Sequence, residues 1–259
     1  MMIKVTFLGV DGYPQGGRET ISILVEIHGY RILLDCGASI IHQLDRYGLM
    51  ASDIDAVFIS HLHADHSSGL PLLLYSNVME RFEKRASNKG SLAILGDQTD
   101  LEPIISYCKS AYPNLFNDNN FVDVNQVNVD VLKPTILKEN ITVEGAPIKH
   151  AVQGLSISLT IGNYKICYTS DTRCTDNLEK LAKGSNLLIC NVFSSDDVLA
   201  ERFGFLSASE AAKLAFESGV EKLAMIHLSD DVSKATEIAK CSFQGIIITP
   251  TNGDSIMIE

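Results

Sequence analysis

Three histidines and one aspartate crowd into the stretch from Ile59 to Ser68, ISHLHADHSS. The chain has only seven histidines, so three within six positions is a concentration that needs a reason. Imidazole nitrogen and carboxylate oxygen are donors that suit Zn²⁺ and other borderline divalent cations. Residues two apart on an extended segment point the same way, so His61 and His63 can share one ion. Asp65 and His66 follow a change of chain direction and would face a second position. Further donors are expected at the ends of predicted strands: His150 after Ile141 to Lys149, Asp171 after Tyr164 to Thr169, and His227 after Leu223 to Ile226. A shared sheet edge would gather them. His28, in a predicted hairpin turn, and His42, on a predicted helix, are read as ordinary surface or core residues.

The elements that must position these groups fall into two similar halves. Strands are expected at Ile3 to Leu8, Ile21 to Ile27, Tyr30 to Leu34 and Asp55 to Ser60, with helices at Ile40 to Tyr47 and Leu70 to Arg85. Gly9 to Gly17 is dense in turn residues, and its turn Tyr13 to Gly17 is expected to be able to move over the candidate site. A short strand at Leu92 to Leu95 and a helix at Thr99 to Ala111 follow. Tyr112 to Leu137, rich in Asn and Asp, reads as a surface excursion with one or two weak strands. Strands then recur near Ile141 to Lys149, Leu155 to Ile161 and Tyr164 to Thr169, with a hairpin turn at Asn163. The last third alternates helix and strand: helices at Thr175 to Lys183, Ser209 to Ser218 and Val232 to Lys240, strands at Leu187 to Val192, Leu223 to His227 and Ile246 to Thr249. Ser207 and Glu210 have capping-box spacing. A final strand at Ser255 to Ile258 is expected to close a sheet edge. This order predicts a single α/β (α+β) domain over residues 1–259, a four-layer αββα sandwich of two mixed β-sheets with helices on the outside.

Composition narrows the function classes. Hydrophobic residues make up 46% of the 259, enough for a substantial core. Six cysteines are scattered without a C-x-x-C pair and read as buried free thiols. A net charge of −11 argues against tight nucleic-acid binding or an anionic membrane surface. With no apolar run of membrane-span length and no leader-like N-terminus, a cytoplasmic protein is expected.

The order H-x-H-x-D-H, then a distal His, an Asp in "SDT" and a late His resembles the metallo-β-lactamase fold superfamily. Its ribonuclease Z-like, phosphodiesterase-like group is the nearest match, on "FLGVDGYPQGGRETIS", "LLDCG" and "GFLSASEAAKLA". The resemblance implies an αββα fold and two divalent metal ions. His61, His63 and His150 would hold one ion and Asp65, His66 and His227 the other, with Asp171 bridging. Asp35 would orient ligands from the second shell. Zn²⁺ is the first choice for the ions, with Mn²⁺ or Fe as alternatives. The resemblance also implies a homodimer as a common assembly.

Two such ions can lower the pKa of a bridging water towards 7, and the hydroxide would attack phosphorus or a carbonyl carbon. Asp65 could both ligate and accept a proton, making it the candidate catalytic residue. The substrate expected is a small-molecule phosphodiester or ester, a nucleotide-like one first. Arg18, Lys149 and Arg173 could neutralise a phosphate, Ser207 could donate to one, and Phe205 could form an apolar wall. The chain departs from ribonuclease Z in three places. His150 and Asp171 are only 21 positions apart, too close for the arm that grips transfer RNA. Cys190 and Phe205 stand where the group carries histidines. Three other readings remain: a lactone or thioester hydrolase, a transfer RNA 3′-end endoribonuclease lacking the arm, and a binding scaffold with a vestigial site.

Overall fold

In the computed structural model, which describes residues 2–14, 17–83, 91–115, 124–229 and 231–259, the chain divides into two compact units. The first comprises Met1–Asn128 with Thr251–Met257 and Glu259, the second Val129–Pro250 with Ile258.

The first unit contains β1 (Ile3–Gly9), β2 (Ser22–Ile27), β3 (Tyr30–Leu34), α1 (Ile40–Arg46), β4 (Ala56–Phe58), α2 (Ala64–Ser67), α3 (Leu70–Phe82), β5 (Leu92–Gly96), α4 (Gln98–Ala111) and β6 (Val124–Asn128). β1, β2 and β3 form an antiparallel meander, and β3 to β6 run parallel. The parallel strands β4 and β5 are buried at every position, as strands covered on both faces must be. Leu33, Val57 and Ile94 of the sheet pack with Ile40 and Leu44 of α1, Leu70 and Leu73 of α3, and Ile104 and Cys108 of α4. All three helices therefore cover one face.

The second unit contains β7 (Thr135–Lys138), β8 (Ile141–Pro147), β9 (Leu155–Ile161), β10 (Tyr164–Tyr168), α5 (Asp176–Ala182), β11 (Leu187–Ser194), α6 (Asp197–Phe203), β12 (Leu206–Ser207), α7 (Ala208–Glu217), β13 (Lys222–Ile226), α8 (Val232–Ser242) and β14 (Ile246–Ile248). Its sheet runs β14-β13-β11-β10-β9-β8-β7, with β12 beside β11. β7 to β10 are antiparallel, and β10, β11, β13 and β14 are parallel. Leu188, Cys190 and Val192 of β11 pack with Leu178 and Leu181 of α5, Ala211 and Leu214 of α7, and Ala235 and Ala239 of α8. β15 (Ser255–Ile258) then returns to the first sheet, whose order is β15-β1-β2-β3-β4-β5-β6.

Two mixed sheets, each with helices on one face, match the architecture expected from the sequence. Most predicted elements appear within a few residues of their expected ends, and the late strand does close a sheet edge. The helix expected over Leu70 to Arg85 runs to Phe82, and Lys84 and Arg85 lie outside the described residues. So do Gln15 and Gly16 of the glycine-rich turn and residues 116–123 of the excursion. α2 and α6 were not anticipated. α6 is bounded by Asp196, whose carboxylate accepts from Val198 N and Leu199 N, and by Gly204 in the left-handed region.

Candidate functional site

The donors of the first unit lie just past the end of β4, on a turn that enters the short helix α2. His61 Nε2 and His63 Nδ1 are 3.0 Å apart, and Asp65 Oδ2 is 3.4 Å from His66 Nε2. The tautomers follow from the hydrogen bonds behind the rings. Asp35, fully buried, accepts from His66 Nδ1 at 2.7 Å, from Ser60 N at 2.7 Å and from Ser60 Oγ at 2.8 Å. Ser60 Oγ has given its proton to Asp35, so it accepts from His61 Nδ1 at 3.0 Å. Both rings therefore carry their proton on Nδ1 and keep the Nε2 lone pair for a ligand.

The backbone holds this arrangement closely. Cys36 N donates to His66 O at 2.7 Å, and Gly69 N donates to Cys36 O at 2.9 Å. A Cβ at Gly69 would run into Gly37 O, so the two loops can approach this closely only with glycine there. Asp35 itself sits at φ +60°, a conformation that costs energy and that its three hydrogen bonds stabilise.

The donors of the second unit come from three strand ends. β8 is antiparallel to β9 and β9 to β10, so β8 and β10 run the same way; β13 is parallel to β11, which is parallel to β10. The carboxyl ends of β8, β10 and β13 thus share one edge, where open sheets bind ligands. There His150 Nε2 lies 3.7 Å and His227 Nε2 3.9 Å from Asp171 Oδ2. His150 donates Nδ1–H to Gly204 O at 3.1 Å, so its Nε2 too keeps the lone pair. The loops carrying His150 and Asp171 are stitched together by Lys149 N to Thr172 Oγ1 (2.8 Å) and Arg173 N to Lys149 O (3.1 Å). Ser170 and His227 adopt positive φ, which turns these strand ends sharply.

Two contributors escaped the sequence reading. Asn191, fully buried, donates Nδ2–H to Asp171 Oδ1 at 2.7 Å and so fixes the carboxylate. Its own Oδ1 is enclosed without a hydrogen-bond partner. Gly204, at φ +76°, holds His150 through its carbonyl, and a Cβ there would come within 3.1 Å of His150 Nδ1.

The other candidates separate clearly. The Phe205 ring lies 5.0 Å from His150 and 5.1 Å from His227, ring centre to ring centre. Ser207 is buried, and its hydroxyl accepts from Glu210 N at 3.2 Å while Ser207 N donates to Glu210 Oε2 at 3.0 Å, the capping box read from the sequence. Arg18, about half exposed, is 3.5 Å from Asp11. Cys190 faces the helices of the second unit, and burial pushes its thiol well above the ordinary range. Strand alternation puts Asn191, not Cys190, on the side of Asp171, so Cys190 is no proton donor here. His28 sits in the β2–β3 turn at φ +48°, and His42 is exposed on α1.

The donor chemistry fits divalent cations in both units: imidazole nitrogens beside carboxylates, with the His61, His66 and His150 rings anchored from behind. The residues at each cluster are those the ordered motif singles out, and residues 3–201 match the family of anti-Pycsar protein Apyc1. The chain belongs to the anti-Pycsar protein Apyc1 family. Like that family match, its similarities to individual proteins span most of its length. The probable metallo-hydrolase YhfI of Bacillus subtilis is 27% identical over 229 residues, 87% of either chain. Its crystal structure, titled as a metallo-β-lactamase fold protein, superposes with a TM-score of 0.80 at 23% identity, covering 99% of both chains. Ribonuclease Z of Natronomonas pharaonis is 28% identical over 307 residues, covering 100% of this chain and 98% of its own. A diphosphatase of the PhnP family has the same fold, with a TM-score of 0.76 at 17% identity over 100% of this chain and 98% of its own. This Apyc1-family member is a metal-dependent hydrolase of the metallo-β-lactamase fold with His/Asp clusters suited to metal. Among the described residues no helix is long and apolar enough to cross a membrane.

Proposed function

We propose that the chain is a dinuclear phosphodiesterase for small phosphodiesters, such as cyclic nucleotides or nucleotide-like esters. In this reading His61, His63 and His150 would hold one cation, Asp65, His66 and His227 would hold the other, and Asp171 would serve both, with Zn²⁺ as the first candidate. When bound, the cations would supply an acidified water and positive charge to offset the negative charge building on the phosphoryl oxygens. Asp65, the most exposed carboxylate of the set at 21%, would be the residue to accept a proton from the nucleophile. Asp35, through Ser60 and His66, and Asn191, through Asp171, keep the donors in one orientation through the reaction. Phe205 excludes water from the flank of His150 and His227.

The observation that carries the small-substrate reading is the connection from His150 to Asp171. Its 21 positions are spent on β9, β10 and the turn at Gly162 and Asn163. That leaves no residues for an arm that could grip a large nucleic acid. The match to the archaeal ribonuclease Z agrees, since it runs over 307 residues against 259 here. Relatives named as a ribonuclease and a diphosphatase both break P–O bonds, which favours phosphorus over carbon as the reacting centre. The acidic charge of −11 also disfavours a long polyanion. A lactone or thioester hydrolase is the second reading, favoured by the apolar Phe205 wall beside two of the donors. A cytoplasmic setting and a homodimeric assembly belong to the same proposal.

The test is turnover of bis(p-nitrophenyl) phosphate by protein loaded with Zn²⁺ or Mn²⁺, beside a lactone panel, with metal content measured on the same sample. Two ions per chain, phosphodiester turnover and its loss on chelation are expected. Two bound ions without phosphodiester turnover would overturn the reading, and lactone turnover alone would establish the second one.

A further inference from the structure

A cavity of about 310 Å³ opens in the second unit beside His150. This is within the size range of small-molecule sites. Lys149, Arg173, Arg202, Phe203 and Gly204 line it along with His150, and Glu201 is its carboxylate. Three cations against one carboxylate is an unusual balance for a chain of net charge −11. Two of the three are uncompensated: neither Lys149 nor Arg202 has an ion-pair partner among the described residues. The third, Arg173, uses Nη2 on Glu210 at 2.9 Å and lies 3.9 Å from Glu201. Its Nη1 is enclosed with no hydrogen-bond partner, and an enclosed guanidinium nitrogen calls for an acceptor.

We propose that this cavity binds a second anionic group of the substrate, a phosphate other than the one that reacts. The inference rests on the phosphodiesterase reading and deepens it. In that reading His150 belongs to the reacting end, and the same residue also lines the cavity. A phosphate seated there meets Lys149 and Arg202 as point and forked donors and offers an acceptor to Arg173 Nη1. The substrate class is then a phosphodiester carrying a phosphomonoester or a second diester nearby, a nucleotide with two phosphorylated hydroxyls or a dinucleotide. The geometry also explains the mixture of lining groups: Arg202 lies 5.9 Å from the centre of the Phe203 ring, which steadies the long side chain at the rim.

Binding and turnover test this together. Calorimetry on the metal-loaded protein compares thymidine 3′,5′-bisphosphate with thymidine 5′-phosphate. The unaltered protein should bind the bisphosphate about tenfold more tightly, and the Lys149→Gln, Arg202→Gln double variant should lose that preference. Both side chains are exposed, so the variant should fold normally. The Arg202→Gln single variant should turn over bis(p-nitrophenyl) phosphate, which carries no second anion, within about twofold of the unaltered protein. Equal affinity for the two nucleotides in the unaltered protein would overturn the proposal. So would a preference that survives in the double variant, or a loss of bis(p-nitrophenyl) phosphate turnover in the Arg202→Gln variant, which would assign Arg202 to the reacting phosphate. If the unaltered protein does not hydrolyse the diester at all, the phosphodiesterase reading falls, while the calorimetry still decides whether the cavity is an anion site.

Discussion

In the first unit four donor side chains come from six consecutive residues, His61 to His66; in the second, three donors come from positions 150, 171 and 227. The compact cluster has one buried carboxylate, Asp35, that orients two of its three rings, directly at His66 and through Ser60 at His61. The dispersed cluster has no common anchor. Asn191 holds Asp171, Gly204 holds His150, and Phe205 packs against both histidines. A local cluster can be oriented by one residue because its members move as one segment. A dispersed cluster inherits its precision from sheet register and needs a separate support for each member.

The largest effect should therefore come from the shared anchor. Asp35→Ala removes three hydrogen bonds to a buried carboxylate and places alanine at φ +60°. A loss of about 3 kcal/mol or more in denaturant unfolding is expected, along with loss of metal from the first cluster. A loss under about 1 kcal/mol would show that the first cluster does not depend on one anchor.

A smaller effect is expected from Asn191→Ala. It removes the Nδ2–H hydrogen bond to Asp171 Oδ1, and metal affinity should fall about 10- to 100-fold, measured by competition with a chromogenic chelator. The first cluster should keep its order, visible as unchanged His61 and His66 ring signals in NMR spectra. If those signals move as far as His150 and His227, the contrast between shared and separate supports breaks down.

The smallest effect should follow Gly204→Ala. Left-handed backbone costs alanine about 1 kcal/mol, and the new methyl presses on His150. The expected outcome is a drop in melting temperature of a few degrees and a modest rise in KM, with kcat changed less. An unaltered KM would mean that His150 is held adequately without the Gly204 carbonyl.

The same contrast explains what could be read from the residues alone. His61 to His66 was legible because side-chain period and donor chemistry act within one short segment. His150, Asp171 and His227 were legible as strand ends, and the resemblance to a known superfamily supplied their grouping. Asn191 was not legible. Its role depends on which face of β11 meets the helices, and Cys190, one residue away, is the one that packs there. Gly204 was missed for a related reason: its approach to His150 spans 54 positions and appears only in the fold. α6 could have been found, since Asp196 and Gly204 carry the start and stop signals of a short helix. Ser207 shows the converse case. Its spacing to Glu210 announced a helix cap, and in the structure its hydroxyl accepts from Glu210 N in that cap.

β15 pairs with β1 across nearly the whole chain, with Phe7 N donating to Asp254 O at 2.9 Å and Gly253 N to Phe7 O at 2.7 Å. The N-terminal sheet therefore cannot finish its edge during synthesis until the intervening residues of the second unit have left the ribosome. For that interval β1 presents an open ladder to other nascent chains. A slow final docking step and a dependence on chaperones are the kinetic signature this topology would leave.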